Sequence, residues 1–97
     1  MPVYSIVGVT VNDEPLFQKY VEGHTDSLTK FGGRFLAAGS EFGIIEGAWP
    51  GQVVVLHEWP DREAFHTWYA SDDYRPWKKV RFAAASENIV LIDGLPA

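Results

Sequence analysis

QVVVLHEWPDREAFHTWYA, residues 52–70, is the stretch whose reading decides the fold. Three consecutive valines and the flanking apolar residues make Gln52–Trp59 a strand, because branched side chains suit a pleated, half-buried surface. Pro60-Asp61 ends it. Proline cannot donate to a ladder, and the aspartate can cap the next helix. Arg62–Ala70 then reads as that helix, with Phe65, Trp68 and Tyr69 as its buried stripe.

Downstream, Ser71 is the expected N-cap of a second helix, with Asp72 and Asp73 in its first turn at the positive end of the dipole. That helix presents Tyr74, Trp77, Val80, Arg81 and Ala84. Glu87–Asp93 (ENIVLID) is the last strand, and Gly94–Ala97 a tail.

Upstream, Pro50-Gly51 is a turn, Ile44–Trp49 continues extended, and Gly39–Gly43 turns again. Arg34–Ala38 is a short strand. Gly32-Gly33 stops the preceding helix, with Gly33 expected at or next to a left-handed position. That helix opens at Asn12-Asp13-Glu14-Pro15, an Asx cap followed by acid and proline. Phe17, Tyr20, Val21, His24, Leu28 and Phe31 form its apolar stripe. Val3–Val11 is a strand apolar on both parities, so both of its faces need cover.

The order is β-α-β-β-α-β, with an insertion before the third strand and a split second helix. It predicts an α+β, ferredoxin-like domain: a four-stranded antiparallel sheet with helices on one face. The other face is aliphatic. A symmetry-related sheet would cover it, so a homodimer is expected.

The 97 residues suit a single domain spanning residues 1–97. A hydrophobic fraction of 46% with 14% aromatics is globular rather than disordered. The absence of cysteine excludes disulfides and thiolate metal sites. A formal charge of -5 with eight basic residues argues against nucleic acid as a partner. No apolar run approaches the ~18 residues of a membrane span, and MPVYSIVGV carries no basic leader. A cytoplasmic protein with no membrane association is expected.

No nucleophile elbow, P-loop, zinc motif or dinucleotide fingerprint is present, and no metal or cofactor is expected. The groups able to act are His24, Arg34, Glu46, His57, Glu58, Tyr69, Ser71, Tyr74 and Arg81. His24 and His57 could move protons near neutral pH. Arg34 or Arg81 could hold an anionic oxygen through the planar guanidinium. Arg34 with Glu58 could equally be a structural ion pair. Trp68 and Tyr69 would form an apolar wall. A cleft is expected between the first helix, the Trp68–Tyr74 segment and the sheet, with Tyr69, Tyr74 and at least one of Arg34 and Arg81 pointing in. The same aromatics could instead serve only as core.

At FGGRFLAAGSE, EGAW, VVVLHEWPD and WYASDDYRPWKKVR the chain resembles domain of unknown function family 1330 over nearly its whole length. Gly32-Gly33-Arg34, Glu46-Gly47, Trp68-Tyr69-x-Ser71, Tyr74 and Arg81 carry the resemblance. That family is similar to the dimeric α+β barrel proteins, which include small monooxygenases and isomerases. The resemblance implies the barrel dimer and leaves the activity undefined. Ala38 stands where the family commonly has arginine, and His57 where an aliphatic residue is usual. Two functional readings are compatible with these residues: a small-molecule enzyme without a bound cofactor, or a non-catalytic ligand-binding or dimerisation module.

Overall fold

The computed structural model describes residues 1–96, so Ala97, the last residue of the expected tail, lies outside them. The elements are β1 (Val3–Val11), α1 (Glu14–Lys30), β2 (Arg34–Gly39), β3 (Val53–Trp59), α2 (Arg62–Tyr69), α3 (Arg75–Ala84) and β4 (Ala85–Asp93). The sheet order is β2-β3-β1-β4, and every neighbouring pair is antiparallel. This is the expected ferredoxin-like plan.

Local chemistry sets the element ends. Asp13 caps α1 by accepting from the Leu16 N–H at 3.1 Å, and Asp61 caps α2 by accepting from Ala64 at 2.8 Å. At the other end of α1, Gly32 adopts φ +92°, and the Gly33 N–H returns to the Leu28 carbonyl at 3.0 Å. The left-handed residue is therefore Gly32, with Gly33 next to it. Gly33 is required for space: a Cβ there would lie 2.7 Å from Leu28 Cδ2 and from the Trp59 ring.

Two expectations are corrected. α3 begins at Arg75 with Tyr74 as N-cap, so Asp72 and Asp73 precede the helix. The Ser71 hydroxyl still accepts from the Tyr74 N–H at 3.1 Å, but it closes the turn between α2 and α3. Ile44–Trp49 joins no ladder. The loop containing it turns back at Pro50, whose carbonyl sits against Gly8 where a Cβ would be, and Gln52 N–H then reaches the Val9 carbonyl at 2.6 Å.

Strand parity divides the sheet. Val3, Ser5, Val7 and Val9 of β1, with His57 and Trp59 of β3, are buried beneath the helices. Tyr4, Ile6, Val54 and Leu56 face the other way, beside Val90 (58% exposed) and Ile92 (54%) on β4. The helix-covered core forms two clusters. One joins Val3, Tyr20, Leu28, Trp59, Phe65, Trp68 and Tyr74; the other joins Val7, Val9 and Ala85. Among the described residues no helix is long and apolar enough to cross a membrane.

Candidate functional site

A cavity of about 320 Å³ lies between the sheet and the helices. Its walls are mostly apolar: Val7 and Val9 from β1, Phe17 and Val21 from α1, Val53 and Val55 from β3, and Ile89 from β4. Phe35, Ala38 and Gly39 of β2, with Ser40 just after it, also line it. Besides Ser40, seven polar or titratable side chains join these walls: Ser5, Tyr20, His24, His57, Tyr74, Arg81 and Glu87.

His24 sits one turn after Tyr20 on α1. Its Nδ1 donates to the Tyr20 carbonyl at 2.7 Å, and its ring stacks on the Tyr20 ring with centroids 4.1 Å apart. Burial holds its pKa below the ordinary histidine value, against the pull of the backbone carbonyls. His57 enters from β3, directly opposite Ser5 in the ladder. Its Nδ1 lies 2.8 Å from Ser5 Oγ, which also accepts from Trp59 Nε1 at 3.0 Å. Its Nε2 is buried with no partner among the described residues. Burial, with His24 nearby, lowers the His57 pKa to about 4. The Phe35 ring reaches both imidazoles, at 4.8 Å from His57 and 5.9 Å from His24.

The remaining polar groups are joined to one another. Tyr20 and Tyr74 share a hydroxyl–hydroxyl bond of 2.7 Å, and Arg81 Nη1 donates to Tyr74 at 2.8 Å. The same nitrogen is 3.5 Å from Glu87 Oε1, while Nη2 donates to the Tyr69 hydroxyl at 3.4 Å. Burial pushes Tyr74 up to about 12 and Tyr20 further in the same direction. Burial also raises Glu87, and the Arg81 guanidinium opposes that rise. For Arg81, burial acts to lower the pKa, but Tyr74, Tyr69, Glu87 and Tyr20 outweigh it and keep the cation charged. Trp68 stacks on Tyr74 at 4.0 Å and donates from Nε1 to Ser27 Oγ at 3.1 Å.

Of the residues singled out in the sequence, His24, His57, Trp68, Tyr74 and Arg81 line the cavity. Tyr69 stands behind Arg81, and Ser71 lies in the α2–α3 turn. Arg34 and Glu46 are elsewhere. Arg34 pairs with Glu58 at 2.7 Å, on the parity that faces away from the helices, because its ladder partner is Glu58 rather than His57. Glu46 lines a separate depression with Phe42, Trp49 and Val54. Ser5, Tyr20 and Glu87 were not singled out. Glu87 carried a signal: it shares strand parity with Ile89 and Leu91, and an acid on a covered face needs a reason. Ala38 and His57, expected to depart from the family pattern, both line the cavity. Among the described residues no three His, Asp or Glu side chains are gathered as a metal ion would need.

Comparison with known proteins bears on the family and the fold. Residues 2–95 match the model of a family described as Domain of unknown function (DUF1330). A protein of unknown function from Rhodopseudomonas palustris superposes with a TM-score of 0.83 at 17% identity, covering 99% of this chain and 84% of that one. SnoaB, a cofactor-independent oxygenase from Streptomyces nogalater, superposes with a TM-score of 0.73 at 16% identity, covering 99% and 95%. A dimeric ferredoxin-like protein of unknown function from Thermobifida fusca gives 0.67 at 13% identity, covering 95% and 90%. At such identities the likeness is one of fold. No curated protein matches the chain.

Proposed function

The chain belongs to the DUF1330 family, and from that premise we propose that it is a small-molecule enzyme working by proton transfer in the helix–sheet cavity, without a bound cofactor and as a homodimer. The observation that carries this reading is the pair of histidines at one mainly apolar cavity. Among the described residues, His24 brings a nitrogen lone pair with no hydrogen-bond partner, and His57 a buried nitrogen without one. A neutral imidazole in a mainly apolar site is suited to take a proton from carbon beside a carbonyl. Proton abstraction also serves both activities considered for this fold. It starts an isomerisation, and it creates the electron-rich carbanion that could react with oxygen directly. SnoaB, similar in fold, is described as a cofactor-independent oxygenase. Arg81 is assigned to holding Tyr74 and Glu87 through Nη1 and Tyr69 through Nη2. The half-exposed aliphatic residues of the sheet's second face support the homodimer, and the Thermobifida fusca protein of like fold is described as dimeric.

The experiment is deuterium wash-out from a panel of cyclic ketones labelled beside the carbonyl, followed by NMR. Exchange at least about tenfold above that of the His24→Gln variant is expected for some member, since a positioned base contributes ~10²–10⁴-fold. Ketones that bind in the cavity yet exchange no faster than in buffer would favour the second reading, a non-catalytic binding module. The mutual pairing of Tyr20, Tyr74, Arg81 and Glu87 is what speaks for that alternative.

A further inference from the structure

The hydrogen bonds around the two histidines fix which nitrogen of each carries the proton. Trp59 Nε1 can only donate, and it donates to Ser5 Oγ at 3.0 Å. Ser5 is fully buried, and the other partner of its hydroxyl is His57 Nδ1 at 2.8 Å. Among the described residues the hydroxyl proton has that nitrogen as its acceptor. His57 Nδ1 is therefore the lone pair, and Nε2, which has no partner among the described residues, bears the hydrogen. His24 is fixed in the opposite sense. A carbonyl can only accept, so at 2.7 Å from the Tyr20 oxygen Nδ1 carries the proton and Nε2 keeps the lone pair. Both rings are buried and held neutral at pH 7 by desolvation.

The charges at the cavity also cancel. Arg81 and Glu87 both line it and lie 3.5 Å apart, so an incoming carboxylate would meet a buried carboxyl beside the guanidinium. Two neutral imidazoles add no positive charge.

Building on the small-molecule reading of this cavity, we propose that His57 and His24 form a donor–acceptor pair of opposite tautomers that selects an uncharged, hydroxyl-bearing ring compound. An oxygen of the ligand accepts from His57 Nε2–H, which is buried in the unliganded chain and is reached as the wall beside it gives way, a ligand hydroxyl donates to His24 Nε2, and the apolar walls take the ring. Carboxylates of the same size are rejected.

The first test needs no ligand. Long-range proton–nitrogen NMR correlations of the nitrogen-labelled full chain at pH 7 report the tautomer of each ring. His57 is expected with its proton on Nε2 and His24 with its proton on Nδ1. Ser5→Ala should release His57 to a mixture of tautomers and leave His24 unchanged. Trp59→Phe, which frees a lone pair on Ser5, serves as the second variant and should shift His57 in the same direction. A wild-type His57 protonated at Nδ1, or two histidines in the same tautomer, overturns the pairing. The second test titrates dihydroxynaphthalene, naphthalene and naphthoate while following both ring signals. Dihydroxynaphthalene is expected to bind at least tenfold tighter than either of the others. Equal or tighter binding of naphthoate overturns the selectivity. Should no probe move either ring, the ligand class and the small-molecule reading fail together while the tautomer assignment stands.

Discussion

Trp59 constrains two neighbours at once. Its ring fills the space where a Cβ on Gly33 would lie, and its indole N–H holds the Ser5 hydroxyl. Gly33→Ala is therefore an overpacking change, with an expected cost of about 1–3 kcal/mol in urea unfolding. Gly32→Ala acts through backbone strain at φ +92° instead and should cost about 1 kcal/mol. An unchanged midpoint for Gly33→Ala would mean that the ring can move aside. His57 gives a pH prediction. Its folded-state pKa, about 4, lies below the ordinary 6.5, so the neutral ring stabilises the fold above pH 6.5, and this stabilisation is lost as pH falls toward 4. A shift of that size corresponds to about 3 kcal/mol. Relative to His57→Gln, the wild type should lose about that much stability across the window, read from denaturation at each pH. Parallel pH profiles would refute the assignment. Glu87 titrates in the opposite sense. Its raised pKa contributes stability at low pH that is lost as pH rises, which is why the comparison is made between variants and not on the wild type alone.

At the level of elements, the α2–α3 turn rests on Ser71, whose hydroxyl donates to the Trp68 carbonyl at 2.7 Å and accepts from the Tyr74 N–H. Ser71→Ala should cost ~0.5–2 kcal/mol, and Ser71→Asp much less, since a carboxylate can still accept from that N–H. Equal losses in thermal denaturation would show that the hydroxyl's donation to Trp68 matters more. The helix pair α1–α3 closes over Gly23, whose missing Cβ makes room for the Trp77 ring. Much of this was legible in the sequence. The caps at Asp13 and Asp61, the valine-rich strands and the His24 stripe are local patterns, and local patterns determine local structure. Ile44–Trp49 misled because apolar residues at strand density still need an edge to pair with, and this segment joins none. The site was only half legible. His24, His57, Tyr74 and Arg81 stood out as chemically able groups. The bond between Tyr20 and Tyr74 joins residues 54 positions apart, and no spacing rule announces it. Arg34 drew attention by its place after the glycine pair, but the ladder register turned it to the opposite face.

For the whole molecule, the proposed homodimer predicts a light-scattering mass about twice the 10.9 kDa of the chain at micromolar concentration. Ile92→Lys should shift that mass toward the monomer, and a wild-type monomer would remove the case for a covered second face. Arg81→Met should lower the melting temperature, because it strands Tyr74 and Glu87 without their cation, and leaving a buried group unpaired costs ~1–3 kcal/mol. A stability equal to or above wild type would return Arg81 to the list of ligand-binding groups. The strand order carries a further consequence. Ser5 and His57 lie on β1 and β3, the two inner strands, whereas Phe35 and Ala38 lie on β2, an edge strand whose pairing slips between Phe35 and Ala37. Edge strands with interrupted pairing open by small local fluctuations, while inner strands give up their amide protons only when the whole domain unfolds. In hydrogen exchange the Ser5 and His57 amides should be among the slowest, and those around Phe35 far faster. On that expectation the β2 side of the cavity would open to admit a molecule many times during the lifetime of a folded chain, while the neighbouring strand keeps its histidine aimed throughout.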